Sequence, residues 1–357
     1  MHNDSYVVIM AGGIGSRFWP FSRTNNPKQF HDVLGTGKTL LQQTADRYRD
    51  ICPPENIYIV TNKDYYTLVK TQLPYLNDHQ ILLEPIGRNT APCVAYAAHK
   101  IAKQNPKANI VVSPADHVIL NEPEFVKTIK TALAHSYQKD ILITLGIKPS
   151  RPDTGYGYIQ FLEGKGDLKK VKTFTEKPHL DLAKTFIESG DFVWNSGIFI
   201  WNAKAVLKAI EAHLPEMNEI FEECTPHYYT DAEAPFIDKA YAQCKSISID
   251  YGIMEKSDNV FVVLSDFGWS DLGTWKSLYD IMDKDENKNV IDANALVYDS
   301  RECIIKTSKD KLVVVQGLTD YIVAESEGVI MICRKEDEQK VKEFVNDAKA
   351  KKDKRFI

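Results

Sequence analysis

No apolar run in this sequence approaches the ~18 residues that a membrane-spanning helix needs, and its N-terminus lacks the basic segment and apolar core of a secretory signal. The six cysteines (Cys52, Cys93, Cys224, Cys244, Cys303, Cys333) show no C-x-x-C spacing. That pattern argues against a zinc site or a disulfide framework and for reduced, buried thiols. A cytoplasmic protein with no membrane partner is the expectation. Nor is there an excess of positive charge. With 44 Lys and Arg against 49 Asp and Glu, the net charge of -5 gives no overall attraction to nucleic acid. Any polyanion that binds must meet a local cluster of cations.

Two phosphate-binding motifs are incomplete. Gly13-x-Gly15 is followed by Phe18 where the dinucleotide fingerprint needs its third glycine. "GTGKT" (35–39) ends like a P-loop, but Asp32 occupies the place of the first glycine, which excludes a P-loop kinase. Lys38 and Thr39 read instead as a turn and a helix cap.

What the chain has is length and pattern. At 357 residues and 43% hydrophobic composition it can bury a main core and a smaller one. Apolar runs at 6–11, 56–60, 80–84, 109–113 and 141–146 predict strands buried on both faces. Helical spacing falls between them, at 40–51, 90–104 and 123–138. Such alternation predicts a doubly wound α/β fold with a mainly parallel sheet, whose ligands gather at the carboxyl ends of the strands. From about 150 to 285 the pattern is mixed, with a helix expected at 203–213. Short apolar runs then recur at 295–298, 303–306, 312–315, 321–324 and 329–332, predicting a small coiled β unit. A packed helix containing Val341, Phe344, Val345 and Ala348 should follow, before a basic, frayed end. The expected division is a domain at 1–285 and a small β-helical domain at 286–357.

The stretch "AGGIGSRFWPFSRTNNPKQF" follows the first strand directly. Gly12, Gly13 and Gly15 can bring backbone N–H groups close to phosphate oxygens, because no Cβ blocks the approach. Arg17, Arg23 and Lys28 can add charge-assisted bonds to the same oxygens.

The whole string resembles the signature G-G-x-G-x-R-L-W-P-x-S-R-x-x-x-P-K-Q-F of mannose-1-phosphate guanylyltransferases, within the sugar-nucleotide pyrophosphorylases. "EPIGRNTAP" (84–92), "SPADHVI" (113–119), "DTGYGYIQ" (153–160), "FTEKP" (174–178), "WNSGIFIW" (194–201), "SIDYGIMEK" (248–256) and "FGWSDLGTW" (267–275) resemble further blocks of that family, in its order. Departures are mild: Phe18 for the commoner Leu, Thr175 for Val, and Leu272 and Thr274 within W-S-D-V-G-S-W. The resemblance implies a Rossmann-like, GT-A-like nucleotidyltransferase domain followed by a small left-handed β-helix. Several members carry an additional isomerase domain, which is not expected within these 357 residues.

The implied reaction joins GTP and mannose 1-phosphate into GDP-mannose and pyrophosphate. Its nucleophile is already anionic, so positioning and electrostatics do the catalytic work, with no general base. Carried over residue by residue, Arg17 and Lys28 steady the leaving pyrophosphate, and Gly12, Gly13, Gly15 and Ser16 hold the triphosphate. Asp116 and Asp271 bind Mg²⁺, and His117 is local structure. Glu176, Lys177, Gly155 and Asn195 form the sugar-phosphate pocket, while Glu84, Asn89 and Thr90 lie against the base. A homodimer is expected from apolar edges in the C-terminal unit. Two alternatives stay open: a sugar-1-phosphate nucleotidyltransferase for another base or hexose, and a non-catalytic regulatory relative that binds nucleotide-sugar. The second should have lost a metal carboxylate or phosphate cation, yet Arg17, Lys28, Asp116, Lys177 and Asp271 all stand.

Overall fold

Each long apolar run of the first half becomes a strand of one sheet in the computed structural model, which describes residues 4–351 and 356. In chain order the strands are β1 (Ser5–Met10), β2 (Ile57–Asn62), β3 (Ile81–Glu84), β4 (Asn109–Pro114), β5 (Val118–Ile119), β6 (Leu142–Ile147), β7 (Gly157–Phe161), β8 (Leu168–Glu176), β9 (Phe192–Asn202) and β10 (Val260–Ser265). All except the short β5 join a nine-stranded sheet in the order β3-β2-β1-β4-β9-β6-β10-β8-β7. Its first half is parallel, with Val8 facing Tyr58 on one side and Val112 on the other. β9 then enters antiparallel to both β4 and β6, and β7 and β8 continue antiparallel. The antiparallel strands thus come from the stretch whose sequence pattern is mixed.

Helices at Thr90–Gln104, Glu122–Ser136 and Ala203–His213 match the helical spacing closely. The helix Leu40–Arg47 stops short of the expected 51. Its start is a reciprocal cap: Thr39 N–H donates to Gln42 Oε1 at 3.0 Å and Gln42 N–H to Thr39 Oγ1 at 3.3 Å. Lys38 and Thr39 therefore build a turn and cap, as their sequence context predicts.

By compactness the described residues form two units. One comprises those up to Gly12 with Thr44–Ala115 and Ile119–Trp269; the other comprises Gly13–Gln43, Asp116–Val118 and those from Ser270 on. The first holds the nine-stranded sheet and an aromatic-rich core in which Tyr96 stacks on Phe221 and Tyr228. The linear division at 285/286 follows chain order, whereas compactness groups the glycine-rich stretch with the C-terminal strands.

In the second unit Phe18 stacks on Trp275 with centroids 5.2 Å apart, and both are buried. Strands Val290–Asp292, Ile304–Lys306 and Tyr321–Ser326 pair in parallel, and so do Asn294–Tyr298 and Leu312–Gln316. The last pair, Tyr321–Ser326 with Val329–Arg334, is antiparallel. The helix Val341–Ala350 buries Val341 and Val345. The basic end expected after it falls mostly on 352–355, outside the described residues. All six cysteines are free and buried, and among the described residues no helix is long and apolar enough to cross a membrane.

Gly146 shows how tightly the first unit is packed. A Cβ at this β6 position would lie 2.5 Å from Val193 Cγ2 and 2.6 Å from Val262 Cγ2. Valine methyls cannot swing aside, so neighbouring strands must shift. Gly146→Ala should lower unfolding free energy by about 1–3 kcal/mol in urea titration; a variant as stable as the parent contradicts this packing.

Candidate active site

The glycine-rich stretch leaves β1 and folds back through two short 3₁₀ turns, Ser16–Phe18 and Lys28–Phe30. Its glycines serve three different ends. A Cβ on Gly12 would come within 2.9 Å of Glu84 Oε2, so this glycine makes room for a carboxyl at the end of β3. Gly15 has φ +66, and a Cβ there would press on Lys28 Cβ at 3.0 Å. Gly13 alone of the three faces open space, and Gln29 Nε2 donates to its carbonyl at 2.9 Å. Ser16 opens the first turn, and its carbonyl accepts from Trp19 N–H.

The three cations of the stretch part company. Arg23, 3% exposed, donates through Nε to Pro20 O and lies with Nη1 3.4 Å from the Glu327 carboxylate. It braces the loop against the turn between the last two strands, so a phosphate contact from Arg23 is not what this geometry offers. Lys28 is equally buried. Its Nζ lies 2.8 Å from Asp116 Oδ2 and donates to the carbonyls of Asp271 and Leu272 at 3.1 and 2.9 Å. All three N–H groups are thereby used. Arg17 differs again: its Nε is buried and has no hydrogen-bond partner among the described residues.

Lys28 thus links the two segments that carry the acidic pair expected to hold metal. Burial pushes the Asp116 carboxyl up, but Lys28 and the nearby His117 outweigh it and hold the group below its ordinary value. His117 Nε2 stands 4.0 Å from Asp116 Oδ1. The Asp271 carboxylate accepts from Gly273 N–H at 2.9 Å, and a Cβ on Gly273 would fall 2.5 Å from its other oxygen. Among the described residues no group of three or more His, Cys, Asp or Glu is arranged for a metal. Two carboxylates suit Mg²⁺, which takes one or two carboxylates and fills its shell with phosphate oxygens and water, although the Lys28 ammonium already lies beside one of them.

In the first unit, Glu176 ends β8 and Lys177 follows with φ +48, an unusual conformation for a lysine. Lys177 Nζ lies 2.6 Å from Glu176 Oε1. Asn195 on β9 donates to Asp250 at 2.8 Å and accepts from Thr144 at 2.9 Å. Gly155 is exposed, and its N–H donates to Asp153 at 2.8 Å. The glycine beside Glu176 is Gly157, where a Cβ would fall 2.4 Å from Glu176 Oε2. Pattern in the sequence singles out neither Gly157 nor Asp250, although they lie within "DTGYGYIQ" and "SIDYGIMEK". A titratable residue within "SIDYGIMEK" was the available signal.

Glu84, Asn89 and Thr90 each have different hydrogen-bond partners. Asn89 is exposed, has φ 66, and caps the following helix by accepting from Thr90 N–H at 2.9 Å. Thr90 Oγ1 accepts from Ile249 N–H at 2.9 Å, anchoring the segment before Asp250. Glu84 is buried and accepts from Tyr241 O–H at 3.0 Å.

Residues 6–288 match the model of the Nucleotidyl transferase family, and 293–347 match that of the MannoseP isomerase/GMP-like beta-helix domain. A mannose-1-phosphate guanylyltransferase of Escherichia coli is 34% identical over 359 residues, covering 97% of this chain and 76% of that protein. The chain belongs to the mannose-1-phosphate guanylyltransferase family. The alginate biosynthesis protein AlgA of Pseudomonas aeruginosa is 38% identical over 354 residues, covering 96% of this chain and 72% of its own. Among solved structures, a Thermus thermophilus protein described as a mannose-1-phosphate geranyltransferase superposes with a TM-score of 0.87 at 31% identity, covering 97% of this chain and 99% of that one. The small parallel-stranded unit after residue 290 is thereby accounted for as the family's β-helix domain.

Glu84 yields a pH test. Burial pushes its carboxyl from 4.5 up to about 7, with the Tyr241 hydrogen bond pulling partly back. Below 4.5 the group is protonated in folded and unfolded chains alike; as pH rises towards 7 the unfolded chain ionises first, and stability is lost. Glu84→Gln should therefore gain on the parent by up to about 3 kcal/mol between pH ~4.5 and ~8, measured by urea unfolding. Parallel pH–stability curves for the two proteins would rule out this buried, protonated state.

Proposed function

We propose that the protein transfers GMP from GTP to mannose 1-phosphate, forming GDP-mannose and releasing pyrophosphate. The observation that carries this reading is the Lys28 ammonium bound to Asp116 and to the backbone of Asp271, in a chain of this family. A sugar-phosphate oxygen attacks the α-phosphorus of GTP in line with the departing pyrophosphate. The bond from α-phosphorus to the bridging oxygen breaks, and its electron pair leaves with pyrophosphate.

Because the attacking oxygen is anionic, no residue has to remove a proton. Arg17, whose buried Nε lacks a protein partner among the described residues, is assigned to the phosphates. Gly13 offers its open backbone to the same oxygens, beside Ser16. Gly12 and Gly15 shape that turn. Lys28 acts as a fixed positive charge, since its donors are already engaged. Asp116 and Asp271 would hold Mg²⁺, which when bound offsets phosphate charge and favours the in-line geometry. Glu176, Asn195 and Gly155 are assigned to the sugar and Lys177 to its phosphate; Glu84, Asn89 and Thr90 are assigned to the nucleotide. Residues 1–285 and 286–357 are taken as the catalytic and β-helical parts. A homodimer belongs to the same reading, supported by Leu296, Tyr298, Leu312 and Val314, exposed on paired strands of the C-terminal unit. Free, buried thiols support a reducing, cytoplasmic setting.

Pyrophosphate release measured over GTP, ATP, UTP and dTTP with mannose or glucose 1-phosphate tests the assignment. The highest kcat/KM is expected for GTP with mannose 1-phosphate. Asp116→Asn and Asp271→Asn should each lose about 10²-fold or more in kcat, because a neutral amide is a poor magnesium ligand. Preference for UTP or dTTP would overturn the choice of base, and no turnover with any pair would overturn the activity.

A further inference from the structure

Asp250 opens a five-residue π-helical turn, Asp250–Met254, and has no role in the reaction as drawn. Such turns concentrate at functional sites. Its Oδ1 accepts from Asn195 Nδ2 at 2.8 Å. On the other side of that amide, Asn195 Oδ1 accepts from Thr144 Oγ1 at 2.9 Å and from Gly197 N–H at 3.2 Å. A backbone N–H can only donate, so the oxygen end of the amide must face Gly197, and the nitrogen is left for Asp250. The segment before Asp250 is itself tethered, through Ile249 N–H to Thr90 Oγ1.

Glu176 reaches the same place from β8. The missing side chain of Gly157 is what admits its carboxylate, since a Cβ there would lie 2.4 Å from Glu176 Oε2 and 3.4 Å from Asn195 Cβ. The groups acting on Asp250 are therefore the Glu176 carboxylate, the Lys177 ammonium and the Asn195 amide, with Glu255 on its own flank also feeling Glu176.

We propose that Asp250 is a positioning residue for mannose 1-phosphate: it holds the Asn195 amide in one orientation and, beside Glu176, sets the charge of the sugar pocket. The inference rests on the assignment of Glu176 and Asn195 to the sugar. An amide clamped between Thr144, Gly197 and a carboxylate loses little freedom on binding, and a charged acceptor makes the stronger clamp. Burial, and then the Glu176 charge, push Asp250 up to about 6; hydrogen bonds from its own backbone and Asn195, and the Lys177 ammonium, pull it back. Above about 6 the clamp is ionised; as pH falls through that value Asp250 takes up a proton, the clamp weakens, and sugar-phosphate affinity falls.

Calorimetric titration of the full chain with mannose 1-phosphate, and separately with GTP, across roughly pH 5.5 to 8 tests this. The phosphate of the ligand titrates in the same range for every variant, so the difference between profiles is what is read. At the alkaline end Asp250→Asn should weaken mannose 1-phosphate about tenfold, the scale of a hydrogen bond to a charged group, and leave GTP unchanged. It should also lose the extra fall in affinity that the parent shows on acidification. Thr144→Val should weaken mannose 1-phosphate but keep the pH profile of the parent, because it loosens the amide without removing the titrating group. Asp250→Asn with the parent's affinity and profile, or with both ligands weakened equally, overturns the proposal. If Asp250→Asn does not fold, unchanged affinity in Thr144→Val overturns it by itself. A parent that binds GTP but not mannose 1-phosphate removes instead the sugar assignment beneath it.

Discussion

The ammonium group of Lys28 is the constraint around which the second unit is arranged. A buried cation is costly unless every N–H finds an acceptor, and here the acceptors are the Asp116 carboxylate and the carbonyls of Asp271 and Leu272. Meeting that demand draws together two segments far apart in sequence. It also dictates the loop that delivers Lys28: Gly15 gives way to the lysine stem, Ser22 Oγ accepts from Lys28 N–H at 3.0 Å, and Phe18 lies under the ammonium at 5.6 Å. A loop made this rigid can present Gly13 and Arg17 in fixed positions, as pre-organised electrostatic catalysis requires.

Carboxyl groups in this protein are tuned in opposite directions by their surroundings. Asp116 is held low beside Lys28, as suits a group meant to face a cation. Desolvation pushes up Glu84, which is buried, and Asp250, which is half-buried, and neither has an ion-paired cation among the described residues. The same residue chemistry therefore provides a carboxyl held low, the metal candidate, in one unit and carboxyls pushed up in the other.

Much of this was legible in the sequence, and the remainder was not for a consistent reason. Strand and helix periods depend on local pattern, so β1 to β4, the helix from Thr90 and the Thr39 cap fell close to where pattern put them. Motif blocks also carried the family. What pattern does not carry is the choice of partner. Arg23 and Lys28 are alike as cations in a row of residues, yet one braces the loop and the other gathers acidic segments, because their acceptors lie some 90 to 300 positions away. Gly12, Gly13 and Gly15 look equivalent until Glu84 and Lys28 fill the space beside two of them. Asp250 was hidden because its importance comes from Asn195 and Glu176, on two other strands, and from nothing adjacent in sequence.

The direct measure of this account is the coupling between Lys28 and Asp116. A double-mutant cycle of Lys28→Met and Asp116→Asn, read by urea unfolding with no nucleotide or metal added, isolates their interaction from catalysis. If the ammonium organises the loop through Asp116, the coupling should be about 1 kcal/mol or more, with Lys28→Met the more damaging single change because it also strands two carbonyls. Purely additive losses would contradict it and leave Lys28 as an ordinary buried side chain.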